Sequence, residues 1–201
     1  MSVFVRRESF RLFAKLYPVT LSFIFLSLAV YIGMVATGST SSAGHLYQFG
    51  AFYADSVKEG QWFRFVTAIF VHLGFLHLLM NALFLYVFGP HLERVLGKWK
   101  FTLFFLATGI CSFILPFFLS PHLVAGMSGS IYGLFGMYVY LMWYHVHYIP
   151  HKQDQQTVIV MIVFGLAMTL LNPSSSLLGH VGGLVGGFLL SPLFFIQKAK
   201  K

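Results

Sequence analysis

Acidic side chains are scarce in this chain: five Asp and Glu stand against thirteen Lys and Arg in 201 residues. Charge of either sign makes up 9% of the sequence and hydrophobic residues 58%. A soluble domain carries about 25% charged residues, so this composition argues against a water-soluble fold. Cysteine is almost missing as well. Cys111 is the single one, which excludes an internal disulfide and leaves the redox compartment unread. Charge is absent altogether from residues 65–92, 101–151 and 155–197. A membrane-spanning helix needs about 20 apolar residues. The first gap holds one such helix, and the other two are long enough for a pair each.

With the apolar run after Lys15, the count is six. The spacing predicts spans at Val19 to Val35, Phe65 to Gly89, Lys100 to Ser120, Ala125 to Tyr144, Gln155 to Leu171 and Leu177 to Ile196. Pro121 helps break the third from the fourth. Asn172 to Ser176, with its proline and serines, reads as a turn. Residues 1–17 carry Arg6, Arg7, Arg11 and Lys15 among Phe and Leu, the pattern of a short basic segment on a membrane surface. The first loop, 38–64, holds Tyr47, Phe49, Phe52, Tyr53, Trp62 and Phe63, read here as an interfacial aromatic anchor. The division expected is a surface segment 1–17, a helical domain 18–197 and a basic tail 198–201. With the N-terminus inside, eleven of the thirteen basic residues face the cytoplasm, which predicts that both termini do so. The net charge of +8 is therefore assigned to membrane orientation and not to nucleic acid.

Polar side chains inside a bilayer are costly and mark function. Three stretches carry them. Ser128 lies between Gly126 and Gly129, Gly126 being one residue removed. His72, His77 and Asn81 fall in the second span, and His180 begins the sixth. In the expected topology these spans run parallel, so His77, Asn81, Ser128 and His180 sit at one depth. Ser128 is the candidate nucleophile and His180 its general base, because a serine hydroxyl needs a neighbouring base to lose its proton. Met127 and Ser128, near a helix start, have backbone N–H groups without intrahelical partners, suited to an oxyanion. His77 and Asn81 are four apart and share a helix face, from which the Asn81 amide can donate to the same oxyanion. His72 is read as structural, as is Ser130. No carboxylate suits a third triad position, and Tyr132, one turn below Ser128, is placed to stack on the imidazole. Loss of an orienting acid costs soluble serine proteases roughly 10⁴-fold, so a slow enzyme is expected. His145, His147 and His151 cluster at the inner end of the fourth span and are not assigned a metal.

Taken together, Gly126-x-Ser128-Gly129, His72 with His77-x-x-x-Asn81, His180-Val181-Gly182-Gly183 and Glu93-Arg94 with Gly97 form an ordered set. It resembles the rhomboid intramembrane serine proteases over nearly the whole chain. Trp62-Phe63-Arg64 departs from the family mildly, with Phe in place of a second Trp. The resemblance implies an all-α, six-helix bundle in a bacterial plasma membrane, with a water-filled cavity open to the outer side. It implies a Ser–His dyad needing neither metal nor cofactor, with His77 and Asn81 as the oxyanion motif. The expected partners are the lipid bilayer and single-pass membrane proteins, cut near their outer ends. Val158 to Ser176 would act as gate and cap. Two rivals predict other residues. A non-cleaving client-binding relative predicts a missing Ser or His. A proton or cation transporter predicts charged residues in the helices or repeated halves, and neither is found.

Overall fold

A computed structural model describes residues 2–171 and 176–195. Of the expected turn Asn172 to Ser176, residues 172–175 lie outside the described residues, as does the basic tail from Lys198. Within them the chain forms ten α-helices in order: α1 Phe10–Leu16, α2 Pro18–Thr37, α3 Ala43–Gln48, α4 Ala54–Lys58, α5 Arg64–Phe70, α6 Gly74–Leu96, α7 Lys98–Leu119, α8 Ser128–Tyr144, α9 Lys152–Leu171 and α10 Leu177–Phe194. Among the described residues no strand forms, only one antiparallel bridge between Phe52 and Val124. Five helices (α2, α6, α7, α9 and α10) are long and apolar enough to cross a membrane.

α8 differs from those five. It has 17 residues, and everything from Gly129 to Tyr138 is buried. A helix apolar on all sides belongs in the middle of a bundle, and α8 packs between α7 and α10. Glycine makes that packing close. A Cβ at Gly183 would collide with the carbonyl of Gly129, and one at Gly187 with the carbonyl of Gly133. The backbones of α8 and α10 therefore touch, which small residues at four-residue spacing permit. Gly187→Ala is expected to force the helices apart. The cost should be about 1–3 kcal/mol, read as a lowered melting temperature of the detergent-solubilised protein.

The second predicted span is displaced. In place of one helix from Phe65, α5 ends at Phe70 and α6 starts at Gly74. Both pieces are apolar, so hydropathy alone does not show the break. The freed backbone is paired elsewhere. The Phe70 carbonyl accepts from His72 Nδ1 at 3.1 Å. The Ala68 carbonyl accepts from Gly126 N–H at 2.9 Å. α6 then runs on to include Glu93, a buried carboxylate that looks out of place in a span. Its oxygens accept from the N–H groups of Val19 at 3.0 Å and Thr20 at 2.8 Å. These are orphan donors at the start of α2, where negative charge is favourable.

The first loop is more than an aromatic anchor. Trp62 and Phe63 are exposed, but Phe52 is fully buried and stacks on Phe113 of α7 at 4.9 Å. Arg64 is buried too. It donates to Gln61 Oε1, to the carbonyls of Tyr47 and Ala51, and lies 3.8 Å over the Tyr47 ring. These contacts fold the loop onto the bundle, because a buried guanidinium needs its donors met.

The N-terminal segment also makes contacts with the bundle that its basic composition does not show. α1 does expose Phe10, Leu12 and Leu16, but Ser2, Val3 and Phe4 are tied to the bundle. Phe4 inserts between Phe88 and Tyr138, with ring centroids 4.8 and 5.4 Å away. Ser2 Oγ and Val3 N–H donate to the carboxylate of Asp154 at 2.5 and 3.0 Å. Asp154 is buried at the start of α9, and this pairing offsets the cost of its desolvation.

Candidate active site

The break between α5 and α6 makes a seat for the turn that precedes α8. Gly126 takes φ +113°, a left-handed conformation that favours glycine. The His77 imidazole lies against its α-carbon, so a Cβ there would come within 2.7 Å of the ring. Position 126 therefore tolerates a side chain neither by conformation nor by space. The turn delivers Ser128 as the first residue of α8.

Ser128 Oγ lies 2.8 Å from His180 Nε2. His180 is the fourth residue of α10 and His77 the fourth of α6, so all three groups stand near the N-terminal ends of their helices. The Tyr132 ring stacks on the His180 ring at 4.4 Å between centroids and 16° between planes. The Tyr132 hydroxyl is accommodated at Gly165 of α9, where any Cβ would strike it. The other ring nitrogen of His180, Nδ1, is 2.7 Å from Thr169 Oγ1. Thr169 was not among the residues expected here.

The residues expected to donate to an oxyanion are placed unequally. Ser128 N–H, at the first position of α8, has no intrahelical acceptor. Asn81 is buried and lines the same cavity as Ser128. One of its amide protons goes to the His77 carbonyl at 2.9 Å, which leaves the second. Met127 N–H is turned away: it donates to His72 Nε2 at 3.5 Å. His72 receives it because its Nδ1–H is already donated to the Phe70 carbonyl, leaving Nε2 as an acceptor. The His72 ring, read as structural, lies 5.2 Å from that of His77 and braces the nucleophile turn. Gly129 packs on Ser112, whose side chain fills the place a Cβ would need. Ser130 faces Gly109 of α7 and lies away from the cavity lining.

These groups open into a cavity of about 500 Å³ between α6, α8, α9 and α10. Ser128, His180, His77, Asn81, Tyr132 and Thr169 all contribute to its wall. Leu76, Met80 and Phe84 of α6 and Met161, Phe164 and Met168 of α9 give it apolar walls. A chamber of this size admits a short stretch of peptide. No group of three or more His, Cys, Asp or Glu able to hold a metal occurs among the described residues.

The fold and the cavity define a multi-pass helical membrane protein with a serine and an imidazole in hydrogen-bond contact inside it. Comparison with known proteins agrees. The rhomboid domain family matches residues 59–197, well over half of the chain. The chain is 33% identical over 201 residues to YdcA of Bacillus subtilis (strain 168), which bears the rhomboid protease designation; the match covers 99% of this chain and 100% of that protein. It is 32% identical over 183 residues to the rhomboid protease GluP of the same organism, covering 90% of this chain and 35% of the longer relative. Rhomboid-type serine protease 2 of Emericella nidulans is 29% identical over 141 residues, 68% of this chain and 27% of that protein. The chain belongs to the rhomboid family, and it is a serine protease of the membrane.

Proposed function

We propose that this protease cuts the membrane spans of single-pass proteins near their extracytoplasmic ends, using Ser128 and His180 as a dyad and passing through an acyl-enzyme. The observation that carries the reading is the 2.8 Å contact between Ser128 Oγ and His180 Nε2, within reach for proton transfer. Ser128 Oγ attacks the scissile carbonyl carbon while its proton passes to Nε2. The oxyanion so formed is met by Ser128 N–H and by the side chains of Asn81 and His77. His180 returns the proton to the leaving amine, which departs and leaves an ester on Ser128. A water molecule, deprotonated by the same nitrogen, then releases the acid.

α2, α6, α7, α8, α9 and α10 serve as six spans, within a helical domain 18–197, and both termini face the cytoplasm of a bacterial plasma membrane. α8 is roughly 25 Å long at 1.5 Å per residue, short of a hydrocarbon core of about 30 Å. With its cytoplasmic end at the inner boundary, its first residue, Ser128, lies below the outer surface and the cavity reaches the outer side. α9 contributes Met161, Phe164, Gly165, Met168 and Thr169 to the cavity wall and serves as its gate; residues 172–175 of the expected cap lie outside the described residues.

The test is reconstitution of the full chain in liposomes with a panel of single-span proteins, with cleavage products mapped by mass spectrometry. Wild type is expected to cut within the outer half of a span and Ser128→Ala to leave every substrate intact. Cuts confined to soluble regions, or cleavage that survives Ser128→Ala, would refute the reading.

A further inference from the structure

The chain supplies no carboxylate to orient the base, yet His180 has a partner on its far nitrogen. Thr169, on α9, places Oγ1 2.7 Å from His180 Nδ1. The same oxygen is 2.8 Å from the carbonyl of Gly165, one turn earlier. A threonine hydroxyl has one proton and two lone pairs. A carbonyl can only accept, so the proton points to Gly165. Toward His180 the oxygen therefore presents a lone pair, and Nδ1 must be the nitrogen that carries hydrogen. In a neutral ring that leaves Nε2 unprotonated, facing Ser128 Oγ.

We propose that Thr169 is a positioning residue that holds His180 in the Nδ1–H tautomer and so keeps Nε2 free to accept the Ser128 proton. The proposal rests on the dyad reading given above. A hydroxyl that also donates to a backbone carbonyl is held in one orientation and is a fixed acceptor. Burial strengthens its hold: Thr169 is 6% exposed, so little water competes for Nδ1. Tyr132 fixes the plane of the ring by stacking, but stacking does not choose between two nitrogens; Thr169 does. Thr169 and Gly165 lie on one face of α9, the first bonding to His180 and the second making room for the Tyr132 hydroxyl. The alignment of the base consequently depends on α9 staying seated over α8 and α10.

The experiment measures inactivation of the full-length protein in proteoliposomes by a fluorophosphonate probe. Thr169→Val keeps the shape and removes the hydroxyl. Thr169→Ala and Thr169→Ser both lose the methyl and differ in the hydroxyl, so their comparison holds even where valine disturbs the fold. The maximal inactivation rate should fall roughly 10- to 100-fold in Thr169→Val and Thr169→Ala, the range for one buried hydrogen bond lost. Thr169→Ser should restore it to within about threefold of wild type on the same grounds. The probe concentration for half-saturation should stay unchanged, because Thr169 acts through the imidazole. In the ¹⁵N spectrum, wild type should show His180 with hydrogen on Nδ1, and Thr169→Val should show a mixture of tautomers. Rates in all three variants equal to wild type, or equal losses in Thr169→Ser and Thr169→Ala, would overturn the proposal while the dyad stands. Labelling that persists in Ser128→Ala would instead remove the dyad and this inference with it.

Discussion

His180→Ala is expected to slow fluorophosphonate labelling of Ser128 by at least about 10³-fold, near the upper part of what a positioned base contributes. The reason is local. Ser128 Oγ is held by His180 Nε2 at 2.8 Å, and a serine hydroxyl is a weak nucleophile until a base takes its proton. Among the described residues no other imidazole is in hydrogen-bond contact with Ser128 Oγ. His77 lies against Gly126, and His72 is committed to Phe70 and Met127. Where a Ser–His unit works together, losing either member costs nearly as much as losing both, so the Ser128→Ala/His180→Ala double variant should cleave no more slowly than either single variant. The fold should survive the change. α10 is held by Gly183 and Gly187 against the backbone of α8, and neither contact involves the imidazole. Melting temperature and labelling rate measured on one preparation separate the two effects. Undiminished labelling in a folded His180→Ala protein would mean that another group is the base.

The apolar gaps between charges are legible in the sequence because few other residues can face acyl chains. Helix boundaries are less so. The break at residues 71–73 joins two apolar pieces, and the end of α5 is bonded by a residue far along the chain, Gly126 N–H donating to the Ala68 carbonyl. Glu93 shows the same limit. A carboxylate ending a charge-free gap reads as the edge of a span, whereas here it continues α6 because the start of α2 supplies two N–H donors. Phe52 carries no mark that separates it from exposed Trp62, and its burial follows from the bridge to Val124.

The polar groups of the site are legible for the opposite reason. Serine between glycines, and histidines within apolar runs, have few uses in a bilayer. Thr169 escapes that logic. A threonine in a spanning helix ordinarily bonds its hydroxyl to the carbonyl four residues back, and Thr169 does so with Gly165. Its lone pair toward His180 depends on the relative placement of α9 and α10. Met127 shows the converse, since helix position alone put its N–H on the oxyanion, and His72 takes it instead.

With Met127 committed, more of the oxyanion falls to Asn81, and Asn81→Ala should lower kcat by roughly 10²–10³-fold, the cost of removing one oxyanion donor. The amide is well prepared for that role. Its Nδ2 is fixed by donation to the His77 carbonyl at 2.9 Å, so the remaining N–H projects in a set direction, and the side chain is buried beside the cavity. A preorganised donor in a low-dielectric site stabilises charge that develops only in the transition state, so kcat should fall while KM changes little. Asn81→Asp tests the sign of the effect. It is nearly the same shape but replaces a donor with a carboxylate facing the oxyanion, and it should be slower than Asn81→Ala. Cleavage rates measured at saturating and limiting substrate in proteoliposomes decide the matter. If Asn81→Ala raises KM and leaves kcat untouched, Asn81 binds the substrate's ground state and the oxyanion rests on Ser128 N–H and His77.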